Sequence, residues 1–317
     1  MKYWALAGCL WLAVQASAAS GLSEAEALCR SRRFAEAEAV YHQLDAGGAP
    51  RAAVAYGLGK IAIFRGDYVV AVRLLERAVA MTPDRSDYFL WLGNSYAWAA
   101  STAPLGGKME LGRKCLAAYR RALELNPDNV PAHLSLMNFY RHVPAVLGGG
   151  MQKAQAEAEE IGRRDAARGA YARAVLYAHE KQYPRAWVTL EALLHQSPDH
   201  YAANLLYGRL TLVTGTRTAE GEACLRRCLE GCPSEDDEGQ DTVRWCLGQL
   251  AENRHEVAAA RRAYEDCLRT NPTFGPALDG LARLHPAEPG TTAVTSVQAK
   301  TGTSRLMAAD PRPGRGE

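Results

Sequence analysis

The chain has 317 residues, of which 37 are Lys or Arg and 35 are Asp or Glu, so its formal net charge is only +2. Positive and negative charges that are so nearly equal in number provide no basic surface of the kind that binds nucleic acid or an anionic membrane through charge alone. We therefore expect neither partner. Hydrophobic residues make up 48% of the sequence. This proportion is ordinary for a folded protein with a buried core.

The first twenty residues have the pattern of a secretory signal peptide. Lys2 is followed by the apolar run Tyr3–Val14 and then by small residues at positions 16–18, which is the order of charged, apolar and cleavage regions in such peptides. The apolar run is shorter than the roughly 20 residues that a membrane-spanning helix needs. We therefore predict that residues 1–19 direct export, and that the mature protein is periplasmic or extracellular, in a bacterium, without a membrane span.

A small residue recurs inside the first helix of successive predicted helical hairpins. Four of these sites are Leu58-Gly59, Leu92-Gly93, Tyr207-Gly208 and Leu247-Gly248, and the hairpins close near Pro83, Pro127, Pro233 and Pro272. Gly59 and Gly93 are separated by about 34 residues, as are Ala174 and Gly208. Small residues at this spacing indicate the points where the two helices of a hairpin approach most closely.

This pattern resembles the tetratricopeptide repeat (TPR) family, whose unit of about 34 residues is a helix-turn-helix. The resemblance covers most of the chain. It implies an all-α fold, a right-handed superhelical solenoid of about six or seven antiparallel helix pairs, with a capping helix at Phe274–Leu284. We place this solenoid at residues 20–285 and predict a disordered tail, rich in Pro and Thr, at residues 286–317.

Two adjacent repeats have enlarged connections. Residues 101–112 lengthen the third repeat, which predicts a hairpin with an extended tip, and Pro144–Gly150 adds a connection to the fourth. The run Met137–Tyr140, followed by Gly148–Gly150 and Lys153, is similar to exported bacterial TPR proteins of unassigned function. The narrower resemblance therefore agrees with export.

The sequence contains no recognisable catalytic constellation. Glycine-rich segments beside Lys108 and Lys153 precede second helices, where free backbone amides could hold an anion. Neither segment matches the phosphate-binding Gly-x-x-x-x-Gly-Lys-Ser/Thr pattern, and tight turns at the hairpin tips also explain the glycines. Five histidines are scattered over repeats four to six, namely His133, His142, His179, His195 and His200. We predict a protein that is not an enzyme and has no cofactor.

In the TPR family, the first helices of the pairs line the concave face of the superhelix. The resemblance therefore implies a partner-binding groove on these helices. Its predicted members are Tyr56, Lys60, Phe64, Asn94, Trp98, Phe139, Tyr140, Tyr171 and Trp245, with His133, His179 and Arg209 nearby. Rigid aromatic side chains suit the capture of an extended peptide or a partner's helix, although packing between repeats is an alternative role for each of them.

The function expected from this resemblance is an exported scaffold that binds a protein or peptide in the groove, with cell-envelope assembly or secretion as its setting. The identity of the partner stays open.

Five of the eight cysteines are clustered in the last two repeats. They are Cys224, Cys228, Cys232, Cys246 and Cys267. In an oxidising compartment this clustering favours one or two disulfides. However, Cys228 and Cys267 occupy a slot that alanine fills in other repeats, so packing as small apolar residues is an alternative, and the absence of Cys-x-x-Cys pairs disfavours a metal site. A redox-responsive or metal-holding module centred here is the alternative function.

Overall fold

The computed structural model describes residues 19–284, apart from residues 232, 235 and 236. Residues 1–18 and 285–317, which hold nearly all of the predicted signal peptide and the predicted tail, lie outside the described residues. The described chain consists of α-helices, connecting turns and one short 3-10 turn, and it contains no strand.

The helices follow one another in pairs, each made of a first helix (A) and a second helix (B). The pairs are α1 (19–30) and α2 (Phe34–Ala46), α3 (Arg51–Arg65) and α4 (Tyr68–Met81), α5 (Ser86–Thr102) and α6 (Leu105–Leu125), α7 (Val130–His142) and α8 (Met151–Arg164), α9 (Ala166–His179) and α10 (Tyr183–Gln196), α11 (Tyr201–Thr214) and α12 (Thr218–Glu230), and α13 (Gln240–Asn253) and α14 (Val257–Thr270), followed by α15 (Gly275–Leu284). The predicted all-α solenoid of helix pairs, with a last single helix, is confirmed.

The chain divides into two compact units, Met1–Phe139 and Tyr140–Glu317. We call them the N-terminal unit and the C-terminal unit. The boundary falls inside α7, so that the end of this helix belongs to the C-terminal unit.

Glycines in the A helices make room for one large side chain of the B helix. A Cβ atom on Gly93 would lie 2.4 Å from Cε1 of Tyr119, which is closer than real Cβ contacts. Equivalent contacts join Gly59 to Leu75, Gly208 to Leu225 and Gly248 to Tyr264. These partners are buried. The small residue that the sequence repeats therefore sets the register of these four pairs by accepting a side chain of the B helix.

The insertion in the third repeat is helical. Its two helices, α5 and α6, have 17 and 21 residues, and only Ala103 and Pro104 separate them. Gly106, Gly107 and Lys108 consequently lie in the first turns of α6, although the glycines predicted a loop at the tip of the hairpin. The added residues lengthen the helices of the hairpin because they continue the helical hydrogen bonding, beginning with Lys108 N–H to the Pro104 carbonyl at 3.0 Å.

The connection between α7 and α8 is a closed turn. A Cβ atom on Gly149 would lie 1.9 Å from the carbonyl oxygen of Val143, so only glycine fits there. The Lys153 ammonium donates to the Gly148 carbonyl at 2.9 Å and lies 5.6 Å from the ring centroid of Tyr140. These contacts favour a structural role for the glycines and the lysine of this segment.

Candidate functional site

In the N-terminal unit, predicted groove residues of α3 stack on aromatic rings of neighbouring helices. The ring centroid of Tyr56 lies 4.4 Å from that of Tyr88, and the ring centroid of Phe64 lies 4.9 Å from that of Phe34. Both Tyr56 and Phe64 are half-buried. Each therefore has one face held by a neighbour and part of its surface exposed to solvent.

Lys60 lies inside this aromatic layer. Its ammonium is 4.9 Å from the ring centroid of Tyr56 and 5.2 Å from that of Trp91, and only 3% of the residue is exposed. A desolvated ammonium over aromatic faces is a favourable arrangement. The structure thus gives the Lys60 side chain a position in the core of the unit.

The groove residues of α5 have different surroundings. The carboxamide oxygen of Asn94 accepts hydrogen bonds from the Tyr119 hydroxyl at 2.8 Å and from the Ser135 hydroxyl at 3.3 Å. Trp98 stacks on Tyr68 at 5.9 Å between centroids. In the N-terminal unit, the half-buried members of the predicted groove are Tyr56, Phe64, Asn94, Trp98 and Phe139.

In the C-terminal unit, the predicted groove residues differ in how much of their surface is exposed. Tyr140 is only 6% exposed and belongs to the core. Tyr171 is half-buried, with its ring centroid 5.8 Å from that of His200. Trp245 is also half-buried and meets Phe274 edge-on at 6.5 Å. Two of the three aromatic rings therefore keep part of their surface exposed.

Arg209, on α11, forms a buried ion pair with Glu238. Both terminal guanidinium nitrogens donate to the carboxylate, and the two side chains are only 10% and 11% exposed. Glu238 belongs to the connection between α12 and α13, so the pair holds the end of that connection against α11. Bidentate pairing of this kind fixes geometry as well as charge.

Three basic side chains meet at the ends of α7 and α9. A guanidinium nitrogen of Arg141 lies 3.4 Å from Nδ1 of His179, and the rings of His142 and His179 are perpendicular at 5.2 Å between centroids. Desolvation and then the charge of Arg141 lower the pKa of both histidines. His179 was predicted from the sequence to lie near the groove, whereas Arg141 was not. Basic residues in the last turns of two successive A helices were the available signal.

Known structures resemble this arrangement of helices. A tetratricopeptide repeat protein from Parabacteroides merdae superimposes with a TM-score of 0.54 over 84% of this chain and 98% of that chain, at 14% identity. A thermophilic TPR protein of Thermus thermophilus gives a TM-score of 0.52 over 59% of this chain and 94% of that chain, at 20% identity. This chain has the TPR fold. No protein-family model matches it, and no curated protein matches it in sequence.

Within the TPR fold, two cysteines of repeats six and seven, Cys228 and Cys267, occupy matching positions in the B helices. Cys224, Cys228, Cys246 and Cys267 are buried free thiols, and Cys232 lies outside the described residues. Cys228 donates to the Tyr201 carbonyl at 3.5 Å, and Cys267 to the Asp241 carbonyl at 3.3 Å, each near the start of the A helix of its own pair. Burial raises the pKa of Cys246 and Cys267 to about 12, which disfavours the reactive thiolate. Disulfide formation stays a prediction.

The described part of the TPR fold shows no group of three or more His, Cys, Asp or Glu side chains arranged to hold a metal ion. Across residues 19–284, with the gaps given above, no helix combines the length and apolar character needed to cross a membrane.

Proposed function

We propose that this TPR protein is a non-enzymatic scaffold that binds a protein or peptide through partly exposed side chains of its A helices. The observation that carries the proposal is the set of half-buried aromatic rings on α3 and α5, each stacked against a ring of a neighbouring helix. A ring already held by its neighbours loses little conformational freedom when a partner covers the part of its surface that is exposed. Such rings suit an extended peptide or a partner's helix.

The proposed setting is outside the cytoplasm. The signal-peptide pattern of residues 1–19 supports export to the periplasm or the cell exterior, and we propose a role in cell-envelope assembly or secretion. Attaching residues 1–25 to a reporter enzyme that is active only after export tests this part of the proposal. A reporter that stays inactive and cytoplasmic would contradict it.

The groove is tested by affinity capture from the cell envelope of the source organism with three forms of the chain. The test form carries Tyr56→Ala and Trp98→Ala, and the control form carries Phe89→Ala. Phe89 is a matched control because it is a half-buried aromatic residue of α5 whose ring lies 6.0 Å from the guanidinium of Arg121 on the paired B helix.

We expect proteins that the unchanged chain and the control form both retain to be lost from the test form. Thermal unfolding of all three forms checks that the substitutions leave the fold intact. Retention of the same proteins by all three forms would rule out the groove as the binding surface.

A further inference from the structure

The hairpin of α5 and α6 extends beyond that of α3 and α4 in the N-terminal unit. Helix α6 begins at Leu105 and has its first buried residue at Cys115. Helix α4 begins at Tyr68 and has its first buried residue already at Ala71. At about 1.5 Å per residue, α6 therefore runs roughly 10 Å further before it packs into the core. We call residues 101–114, at the end of this hairpin, the tip.

Helix α5 shows the same extension. Its Trp98 stacks on Tyr68 at the start of α4, and α5 then continues to Thr102. In this last turn the Ser101 hydroxyl donates to the Trp98 carbonyl at 2.7 Å. The Thr102 hydroxyl donates to the Ala99 carbonyl at 3.2 Å. Side chains of the tip therefore satisfy part of its own backbone, which reduces the cost of moving that backbone out of water.

The tip exposes two large apolar side chains. Leu105 is 78% exposed and Met109 is 49% exposed. They are four residues apart on α6, so they lie one turn apart on the same side of the helix. Among the described large apolar residues of the N-terminal unit, none is more exposed than Leu105. Two turns of helix that expose such side chains contribute little to the core, which indicates a contact with another molecule.

Basic side chains border this apolar surface. At about 100° per residue, Lys108 and Arg113 fall on opposite sides of the two apolar side chains. Both are exposed, and neither pairs with an acidic side chain of the described residues. Lys114 is paired with Glu110 at 3.6 Å. The tip holds three basic residues and one acidic residue, so it is locally positive although the whole chain is nearly neutral.

We propose that the tip is a contact site for the surface of an anionic lipid bilayer. Leu105 and Met109 enter the boundary between headgroups and acyl chains, while Lys108 and Arg113 stay at the level of the lipid phosphates. An apolar face flanked by cations is the pattern of helices that lie in this boundary. The near-neutral charge of the whole chain predicted no attachment to a membrane through charge alone. Here a local positive charge acts together with exposed apolar surface.

The shape of the tip favours lipid over a second protein. The tip is a projecting end, and its residues are exposed on both sides of the short connection at Ala103 and Pro104. A partner's helix is bound in a groove, whereas lipid headgroups adapt to a projecting surface. The positive charge of the tip complements anionic headgroups. This contact goes beyond the proposed scaffold function and does not rest on it.

The test places a fluorescent label on the tip of the full chain. Gly106→Cys gives an attachment site with no atom within 4 Å of its would-be Cβ, and Val188→Cys, at a residue of α10 that is 67% exposed, gives the control site. Both carry Cys9→Ser and Cys232→Ser, because the other six cysteines are buried. The readout must be local, since the apolar run Tyr3–Val14 could itself bring the chain to a membrane.

The label is read with vesicles whose lipids carry bromine in their acyl chains, which quenches a fluorophore that enters the bilayer. Vesicles of phosphatidylcholine and phosphatidylglycerol are compared with vesicles of phosphatidylcholine alone. We expect the label at position 106 to be quenched on the anionic vesicles and the label at position 188 to stay unquenched.

Substitutions at the exposed tip separate its apolar and charged parts. Leu105→Ser with Met109→Ser should lower the partition of the label at position 106 into the bilayer by about tenfold. Lys108→Gln with Arg113→Gln should lower its partition into the anionic vesicles by about fivefold for each cation removed. Circular dichroism of each form checks that the fold is kept.

Equal quenching at positions 106 and 188, or quenching that survives the loss of Leu105 and Met109, would overturn the contact site. Equal quenching on vesicles of phosphatidylcholine alone would overturn the assignment of an anionic surface. A label that is never quenched would overturn lipid as the ligand. If Leu105→Ser with Met109→Ser then also lost proteins in the capture experiment above, the tip would bind a protein instead.

Discussion

Gly248 illustrates at the scale of one residue how a helix pair keeps its register. A Cβ atom there would lie 2.3 Å from Cε1 of Tyr264. The tyrosine cannot withdraw easily, because its hydroxyl donates to Glu252 at 2.6 Å and accepts a hydrogen bond from Gln249 at 2.8 Å. Gly106, in the exposed first turn of α6, has no atom within 4 Å of its would-be Cβ. The same residue type is therefore required at one position and replaceable at the other.

We expect Gly248→Ala to lower the free energy of unfolding by about 2 kcal/mol, because it overpacks a buried contact. The control Gly106→Ala should raise it by about 0.5 to 1 kcal/mol, because alanine is the better helix former and meets no neighbour. Urea denaturation followed by circular dichroism measures both. An equal response of the two variants would contradict the assigned role of Gly248.

At the scale of elements, the connection between α12 and α13 is held by side chains. Gln240 donates to the Gly231 carbonyl at 2.9 Å at the end of α12, and Glu238 binds Arg209 of α11. This connection is longer than those between the other helix pairs. Its α13 end is thereby fixed against α11 and α12. The sequence has acidic residues at positions 235–238, but it does not show that Glu238 pairs with an arginine of α11.

We expect Glu238→Ala to reduce the free energy of unfolding by about 3 to 5 kcal/mol, because it leaves the buried guanidinium of Arg209 without its carboxylate. Glu191→Ala is the matched control, since it removes the carboxylate of a solvent-exposed pair with Arg217 and should cost less than about 1 kcal/mol. Chemical denaturation compares them. A loss at position 238 no larger than that at position 191 would show that the pair does not stabilise the connection.

Desolvation of His142 and His179, together with the charge of Arg141 beside them, should make stability depend on pH. The pKa of His142 and of His179 is lower in the folded chain than the ordinary value of 6.5, so the unfolded chain binds more protons as the pH falls below that value. The stability that the two neutral histidines contribute is therefore fully present above pH 6.5 and is lost as the pH falls toward 4. We expect the denaturation midpoint to fall between pH 7 and pH 5, and to fall less in His142→Gln. An unchanged slope in that variant, with His195→Gln as control, would exclude His142 as a cause.

At the scale of the whole molecule, each of the two compact units carries buried thiols. Cys115 belongs to the N-terminal unit and Cys246 to the C-terminal unit, and they are 1% and 0% exposed. Burial raises the pKa of each thiol to about 12. Their reaction with a thiol reagent therefore requires local or global opening of the unit that contains them.

We expect the reduced native chain to leave Cys115 and Cys246 unmodified by a thiol reagent at pH 7, and each to react at the urea concentration that unfolds its own unit. Mass spectrometry after timed labelling measures both sites in one experiment. Rapid labelling of Cys246 in the native chain would instead favour the redox-responsive alternative for the cysteine-rich repeats.

Local sequence patterns were sufficient for the fold. Recurring glycines such as Gly93 and closing prolines such as Pro127 fixed the helix pairs, because helical periodicity and turn formation depend on residues close together in the chain. Even so, the insertion at 101–112 was predicted as an extended tip and is almost entirely helical, since twelve residues with three glycines do not distinguish a loop from a longer helix.

Only the tertiary structure decided which side chains are available for binding. Lys60 and Tyr140 have the same pattern as the other predicted groove residues, yet both are buried, because burial depends on side chains that neighbouring helices contribute. The cluster of Arg141 with His179 joins residues far apart in the sequence, and no local period encodes such a contact. The sequence by itself thus determined the repeated helix pair, whereas packing between helices determined the chemistry of the surface.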